Sequence, residues 1–234
     1  IYQALGAPPP TFAHLPMIHG PDGKKLSKRR DAEYRAQGFG GSVLEFRDMA
    51  FLPDAVLNYL ARLGWAHGEQ EVFSRQQLIE AFTLEAVGKS AAIFDAKKLR
   101  WLNQQYLKAE GAKNLVAMVE PQVRKLGADL VPGVRAERLV DAHRERSSTL
   151  EELARFLLPY VREDIEIDPE AAAKFLTPES LELLADVEGA LTQLDGPADV
   201  PTIEHICKEL VERRGVKLGQ LAQPLRVALT GKTF

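Results

Sequence analysis

The sequence predicts a mainly α-helical protein with a small α/β region near its N-terminus. From Pro53 onward, apolar residues recur at the three- and four-residue spacing of helices, and alternating strand patterns are scarce. Residues that favour helix starts precede many of these segments. The composition is that of a globular protein, with 45% hydrophobic and 27% charged residues.

The N-terminal part contains the best strand candidate, Thr11–Ile18, which leads directly into a basic loop. Beyond that loop, the motif Glu-aromatic-Arg-x-x-small-Phe occurs at Glu33–Phe39 and again at Glu45–Phe51, which we interpret as a short tandem duplication. Glycines 38, 40 and 41 predict that the first copy lies in a loop rather than in the core.

Helices are predicted for most of the remaining chain. Pro53 begins the first and Gly64 ends it, Ser74 and Asp95 cap the next two, and Thr177 precedes a later one. The predicted helices are 53–63, 75–82, 96–108, 113–126, 135–146, 148–162, 169–176, 178–194, 201–214 and 218–230. Boundaries are expected near residues 110 and 196, which divides the chain into 1–110, 111–196 and 197–234.

Length and charge limit the function classes. The 234 residues suit one large or two ordinary domains, and no segment approaches the length of a membrane span. The net charge of −3 means that any contact with nucleic acid must come from local basic patches. The single Cys207 excludes an internal disulfide, and the five histidines show no metal-ligand spacing. The first residue is Ile1, so we expect a piece of a longer protein.

The most specific chemical signal is the basic loop Asp22–Arg30, in which five cations and one acid follow a Gly-Pro-Asp-Gly turn. Lys and Ser side chains on such a turn offer charge and hydrogen bonds to a polyphosphate. On charge alone, a basic cluster is usually a solvated surface or a weak nucleic-acid patch, and both alternatives stay open at this point.

Two predicted helices are rich in cations. The helix after Asp95 has its apolar residues at core spacing, which leaves an outer face with Lys97, Lys98, Arg100 and Lys108. This face suits either a phosphate backbone or plain solvent. Trp101 is expected in the core, with base stacking as the alternative. The other helix carries Arg135, Arg138, Arg144 and Arg146, interspersed with acids that weaken the electrostatic case.

Several stretches resemble the bacterial glutamyl-tRNA synthetases. Lys25-Leu26-Ser27-Lys28-Arg29 resembles the class I synthetase signature usually written Lys-Met-Ser-Lys-Ser. The other stretches follow in the family's order: Phe12–Pro16, Phe51–Trp65, Phe94–Asn103 and Gly215–Gly231. The resemblance covers nearly the whole chain and is weakest between residues 110 and 200.

The resemblance implies a cytoplasmic, monomeric enzyme that joins L-glutamate to tRNA(Glu) through a glutamyl-adenylate, with ATP and Mg²⁺. It implies that Lys25 and Lys28 act in catalysis by stabilising the ATP phosphates, with Ser27 holding the loop or a phosphate oxygen. Residues 1–110 would then hold the end of the catalytic domain and the stem-contact fold. Residues 111–196 and 197–234 would be two all-helical anticodon-binding subdomains.

On the outer face of the helix after Asp95, Lys97, Lys98 and Arg100 are expected to contact the tRNA backbone. The resemblance assigns the other tRNA contacts. Arg144 and Arg146 align with arginines that face the anticodon loop, and Arg146 would favour the glutamate anticodon over the glutamine one. Arg226 would approach the first anticodon base.

Three departures from the family pattern accompany the resemblance. The family's His-x-Gly-His signature does not occur in this sequence, so we expect this chain alone to bind tRNA without activating glutamate or holding a cofactor. The final Pro-Gly turn and helix of the family do not occur either. Where the family commonly has His-Gly after the signature, this chain has Arg30-Asp31 and several extra residues. The alternative is a non-catalytic paralogue, a helical adaptor that binds tRNA or protein.

Overall fold

The computed structural model describes residues 1–36, 38, 40, 42–162, 164–196 and 198–233. The predicted mainly α fold is confirmed. The chain divides into two compact units, Ile1–Leu157 and Leu158–Phe234. The division at residues 110 and 196 stays a prediction. Among the described residues, no helix combines the length and the apolar character that a membrane crossing requires.

In the described part of the first unit, the two β-strands form one short parallel pair. Strand β1 (Ile18–His19) pairs with β2 (Ala92–Ile93), with Ile18 opposite Ala92. The predicted strand Thr11–Ile18 is therefore wrong for all but its last residue. The reason is that β2 offers only two residues for pairing, while most side chains of residues 11–17 are exposed and have no sheet face to pack on.

Helices make up most of both units. A 3₁₀ turn covers Lys28–Arg30. The α-helices of the described residues are α1 (Asp31–Ala36), α2 (Val43–Asp48), α3 (Pro53–Arg62), α4 (Arg75–Ala81), α5 (Ala96–Ala109), α6 (Ala112–Lys125), α7 (Val134–Arg144), α8 (Leu150–Val161), α9 (Pro169–Phe175), α10 (Pro178–Thr192), α11 (Val200–Arg214) and α12 (Leu218–Thr230).

The helices from α3 onward agree with the sequence prediction to within one or two residues at each end, because their start signals act locally. The Ser74 hydroxyl accepts the N–H of Gln77 at 3.1 Å. The Asp95 carboxylate accepts the N–H groups of Lys97 and Lys98 at 2.8 and 3.1 Å. These caps satisfy donors that have no partner inside the helix.

Both copies of the repeated motif contribute a helix, which the sequence did not predict. Tyr34 on α1 and Phe46 on α2 are only 1% and 6% exposed and belong to the same apolar cluster. The expectation that the first copy lies in a loop is therefore wrong for residues 33–36, because burial of the Tyr34 ring outweighs the loop tendency of the glycines. Gln37, Phe39 and Gly41 lie outside the described residues.

The core that supports the basic loop lies in the first unit. It joins Phe46, Tyr59, Phe94 and Leu99, with Leu26 of the loop packed against it. The Phe94 ring lies 6.0 Å from Phe46 and 5.0 Å from Tyr59, centroid to centroid. Such a cluster of large buried rings supplies much of the burial energy of a small domain.

The second unit has its own core, in which α10, α11 and α12 pack together around Val187, Leu210 and Leu221. Cys207 packs at the edge of this cluster, and burial raises the pKa of its thiol. A raised thiol pKa lowers the thiolate population at neutral pH, as expected for a structural cysteine.

Candidate phosphate-binding loop and basic helices

The basic loop begins as a tight reversal of the chain. The N–H of Gly20 donates to the carbonyl of Lys24 at 2.8 Å, and the N–H of Gly23 donates to the carbonyl of Gly20 at 2.9 Å. Gly23 has a φ of +71°, which a side chain would disfavour. The Asp22 carboxylate accepts the N–H of Lys24 at 3.1 Å, as Asp commonly does in turns. The predicted turn is therefore present.

The second half of the loop is anchored to the core. The N–H of Leu26 donates to the carbonyl of Ile18 at 3.1 Å, and the N–H of Ser27 donates to the phenolic oxygen of Tyr34 at 3.2 Å. The Ser27 hydroxyl accepts the N–H of Arg29 at 3.4 Å. These bonds fix the backbone on both sides of Leu26.

Arg30 ties the loop to helix α1. Its guanidinium lies 2.8 Å from a carboxylate oxygen of Asp22 and 2.8 Å from one of Glu33, and 5.4 Å from the centroid of the Tyr34 ring. The hydrogen bond from Arg30 is the main cause of a lowered pKa of the Asp22 carboxyl. One cation therefore connects the turn, helix α1 and a core aromatic ring.

The predicted phosphate-binding residues are adjacent in this loop. The Lys25 side chain is exposed, and Ser27 is half-buried. Lys28 begins the 3₁₀ turn, and its side chain lies outside the part of the chain that the structure describes. Across the described ranges, no three His, Cys, Asp or Glu side chains lie close enough together to hold a metal ion.

The cations of α5 carry less free charge than the sequence suggests. The expected apolar face is present, since Leu99 and Leu102 are buried. However, three of the four cations form ion pairs with acids from other segments: Lys98 with Glu71 at 3.0 Å, Arg100 with Glu152 at 2.6 Å and Lys108 with Glu145 at 3.0 Å. These acids offset much of the charge of the outer face.

Two of these acids have pKa values below their usual range. Burial acts to raise the pKa of Glu152, but hydrogen bonds from Ser148 and Arg100 outweigh it and lower the pKa. Burial likewise acts to raise the pKa of Glu71, and hydrogen bonds from Lys98 and Arg62 lower it. Both carboxylates therefore stay charged near neutral pH and keep their cationic partners occupied.

Lys97 and Trp101 form the part of α5 that remains open to a ligand. The Lys97 side chain is exposed, and its backbone N–H donates to the capping carboxylate of Asp95. Trp101 is 44% exposed, so the expectation that it lies in the core is wrong. Leu99 and Leu102 already cover the core side, which turns the position between them outward. The alternative for Trp101, a stacking platform, stays open.

Helix α7 separates its arginines into different environments. Arg144 donates to the carbonyl of Glu110 at 2.7 Å and lies 3.3 Å from a carboxylate oxygen of Asp141. Arg146 follows the helix and is exposed, as is Arg138 on the helix itself. Only part of this arginine-rich segment is therefore directed at solvent.

Arg146 acts electrostatically on a neighbouring histidine. The pKa of His143 is lowered below 6.5, mainly by burial and further by the positive charge of Arg146. The His143 ring stacks on Phe156 with the centroids 5.8 Å apart.

In the second unit, Arg226 lies on α12 with an exposed side chain. Its guanidinium donates to the carbonyl of Thr233 at 3.2 Å. The Thr230 hydroxyl in turn donates to the carbonyl of Arg226 at 2.8 Å. The end of α12 therefore presents one cation beside several backbone and hydroxyl oxygens.

Sequence reasoning missed the partners of the site residues. No sequence pattern identifies Glu71, Glu145 or Glu152 as an ion-pair partner, and Tyr34 lies in the segment that was expected to be a loop. Each lies far along the chain from its partner or on a helix too short to show a period, so no local pattern identifies it.

Two family models match the chain, one over its first part and one over the remainder. Residues 1–101 match the model of the catalytic domain of class I tRNA synthetases (E and Q). Residues 83–234 match the model of the anticodon binding domain. The basic loop lies in the first match, and α7 and α12 lie in the second.

Individual relatives match the whole chain. It is 46% identical to a protein named glutamate--tRNA ligase from Geobacter sulfurreducens and 44% identical to one from Geotalea uraniireducens, covering 48% of each. A crystal structure of a glutamate tRNA ligase from Elizabethkingia meningosepticum matches all of the chain and 48% of its own, with a TM-score of 0.81 and 28% identity. The chain thus spans about half the length of the relatives it matches, and the resemblance seen in its sequence is confirmed. Because the second family model covers more than half of its residues, the chain belongs to the anticodon binding domain family.

Proposed function

We propose that this chain is the part of a glutamate--tRNA ligase that supplies an ATP-phosphate loop and the tRNA-binding helices. The observation that carries the proposal is that relatives with this name match the chain along its full length, including the basic loop. These relatives do not favour the adaptor alternative.

In the proposed reaction, a carboxylate oxygen of glutamate attacks the α-phosphorus of ATP. The bond from that phosphorus to the bridging oxygen breaks, and pyrophosphate leaves. Lys25 and Lys28 stabilise the negative charge that moves onto the pyrophosphate, and Ser27 donates to a phosphate oxygen or holds the loop. The 2′- or 3′-hydroxyl at the end of tRNA then attacks the glutamyl carbonyl and releases AMP.

The proposal assigns no step to Mg²⁺. The described residues hold no cluster of potential metal ligands, so we assign no metal contact to this chain. In the proposed full enzyme, Mg²⁺ accompanies ATP as a substrate-bound ion. The proposed enzyme is cytoplasmic and monomeric.

For tRNA, we propose two contact regions in the first unit and one in the second. Lys97, Lys98 and Arg100 of α5 meet the phosphate backbone, with Lys97 best placed because the other two are held in ion pairs with Glu71 and Glu152. Arg144 and Arg146 face the anticodon loop, with Arg146 the more accessible. Arg226 approaches the first anticodon base.

The test is binding of fluorescein-labelled tRNA(Glu) to this chain, followed by anisotropy over a series of NaCl concentrations, with an unrelated tRNA as the control. We expect tighter binding of tRNA(Glu) and a linear fall of log affinity with log salt. Equal binding of both tRNAs, or binding that ignores salt, would contradict the proposal. ATP–pyrophosphate exchange then separates this chain, expected to be inactive, from the full-length ligase.

A further inference from the structure

The signature loop of this protein is fastened by residues that follow it. Tyr34 is 1% exposed and packs in the apolar core, so its phenolic oxygen is a fixed point. That oxygen accepts the N–H of Ser27 at 3.2 Å. Since Ser27 lies between Lys25 and Lys28, this hydrogen bond fixes the backbone at the centre of the signature.

Arg30 forms a second set of contacts, which restrain the loop at both of its ends. Its ion pairs reach Asp22 in the turn before the signature and Glu33 on α1 after it, both at 2.8 Å. Its guanidinium also lies over the ring of Tyr34. Exposed ion pairs contribute little singly, but this geometry restrains one cation from three directions.

These fastenings belong to the part of the chain that departs from the family pattern. Arg30 occupies a position where the resembling family commonly has His, and Tyr34 follows it by four residues. The segment after Arg30 forms α1, and the Tyr34 ring on that helix packs with Phe46 in the core. The segment is therefore integrated into the fold rather than looped out from it.

We propose that Arg30 and Tyr34 are positioning residues that hold the loop with Lys25 and Ser27 ordered before ATP binds. The proposal rests on the proposed ligase function. A loop that is ordered before binding loses less conformational entropy when it contacts the phosphates. The contacts of Arg30 and Tyr34 therefore strengthen ATP binding although neither residue touches ATP. We expect glutamate binding not to depend on the order of this loop.

The first experiment measures amide hydrogen exchange at Ser27 in this chain, comparing wild type with Tyr34→Phe. Loss of one neutral hydrogen bond, at about 1 kcal/mol, corresponds to exchange that is roughly fivefold faster. Tyr59→Phe is the matched control, since Tyr59 is also a buried tyrosine whose hydroxyl contacts the backbone, there at Asp95. It is expected to leave exchange at Ser27 unchanged. Unchanged exchange in Tyr34→Phe would overturn the proposal.

The second experiment measures ATP–pyrophosphate exchange by the full-length ligase. In Tyr34→Phe and in Arg30→Met we expect KM for ATP to rise about threefold to tenfold while KM for glutamate stays constant. In Arg30→Lys we expect a smaller rise of KM for ATP than in Arg30→Met, because lysine keeps one ion pair. Equal changes in both KM values, or a KM for ATP that does not move, would indicate a merely structural role and overturn the proposal.

The two readouts also separate this proposal from the proposed function. A wild-type full-length protein that forms no glutamyl-adenylate would overturn the ligase assignment and, with it, the role in ATP binding. Faster exchange at Ser27 in Tyr34→Phe would in that case still show that Tyr34 holds the loop.

Discussion

Arg144 donates a hydrogen bond from Nη1 to the main-chain carbonyl of Glu110, at 2.7 Å. Glu110 lies between α5 and α6, so the bond ties the end of α7 to the junction of two other helices. Carbonyls at a helix C-terminus lack intrahelical partners, and a cation satisfies them well. Arg144 therefore has a structural role that is separate from the RNA contact proposed for it.

Arg144→Met is expected to lower the free energy of unfolding by about 2 kcal/mol, because a charge-assisted hydrogen bond to a half-buried carbonyl is lost. Arg138→Met on the same helix is the control. Its side chain is exposed, so a change within about 0.5 kcal/mol is expected. Urea denaturation measures both. Equal stability of the two variants would show that the contact contributes nothing.

Arg146→Gln is expected to reduce discrimination between the glutamate and glutamine anticodons. Arg146 is exposed beyond the end of α7, and the loss corresponds to one base contact, about 1–3 kcal/mol. The measurement is the ratio of kcat/KM values for the two tRNAs in the proposed full-length ligase. An unchanged ratio would remove the assignment, and Arg138→Gln controls for general loss of charge.

The same residue is expected to control the pKa of His143. Burial and the charge of Arg146 both lower that pKa, so Arg146→Gln should raise it toward 6.5 without reaching it, because burial remains. Because the folded state binds the proton less readily than the unfolded state, stability falls as pH drops below 6.5. NMR titration of the His143 ring measures the shift. An unchanged pKa would show that the charge of Arg146 does not reach the ring.

Lys97 and Lys98 offer a matched pair for testing the basic face of α5. Both side chains are exposed, but Lys98 pairs with Glu71, whereas no ion pair is described for Lys97. Lys97→Ala is therefore expected to weaken tRNA binding more than Lys98→Ala and to reduce the salt slope by about 1. Anisotropy titrations at several salt concentrations measure this difference. A larger loss in Lys98→Ala would mean that the ion pair opens on binding.

Trp101 supplies the contrasting measurement on the same helix. Because its ring is exposed, we expect Trp101 to stack on a base, so that Trp101→Ala costs about 1–3 kcal/mol of binding. The salt slope should stay unchanged, because no phosphate contact is lost. A reduced slope or unaltered affinity would argue against stacking.

The sequence predicted the long helices well because their signals are local. Asp95 caps α5 through the two N–H groups next to it, and the apolar spacing of Leu99 and Leu102 marks the buried face. Helices α1 and α2 have six residues each, too few to show a period, and nearby glycines favoured a loop. Their formation depends on burial of Tyr34 and Phe46 in a shared core, which is a tertiary effect.

The site was predicted only in part for the same reason. The order of residues in Lys25–Arg29 identifies the loop, but Tyr34, which fixes its backbone, carries no recognisable signal. The charge of Arg100 is visible in the sequence, whereas its neutralisation by Glu152 depends on the packing of α5 near α8. Cation counts on a helix therefore overestimate the free charge when distant acids fold back onto it.

Asn103 shows how much a single polar residue inside a helix can contribute. It is fully buried, its Oδ1 accepts the N–H of Leu52 at 2.8 Å, and its Nδ2 donates to the carbonyl of Ser148 at 2.6 Å. The side chain thereby joins the starts of α3 and α8 to the middle of α5. Its position in the sequence reveals none of this.

Asn103→Leu is expected to lower the free energy of unfolding by about 2–4 kcal/mol. It leaves the N–H of Leu52 and the carbonyl of Ser148 without a partner, and each buried unsatisfied group costs about 1–3 kcal/mol. Asn114→Leu is the control because Asn114 is exposed and bonds only to the Glu110 side chain among the hydrogen bonds described. Urea denaturation should separate the two variants clearly. A loss in Asn103→Leu no larger than in the control would mean that solvent or a rearranged side chain satisfies both backbone groups, and that the three helix segments are held together by apolar packing alone.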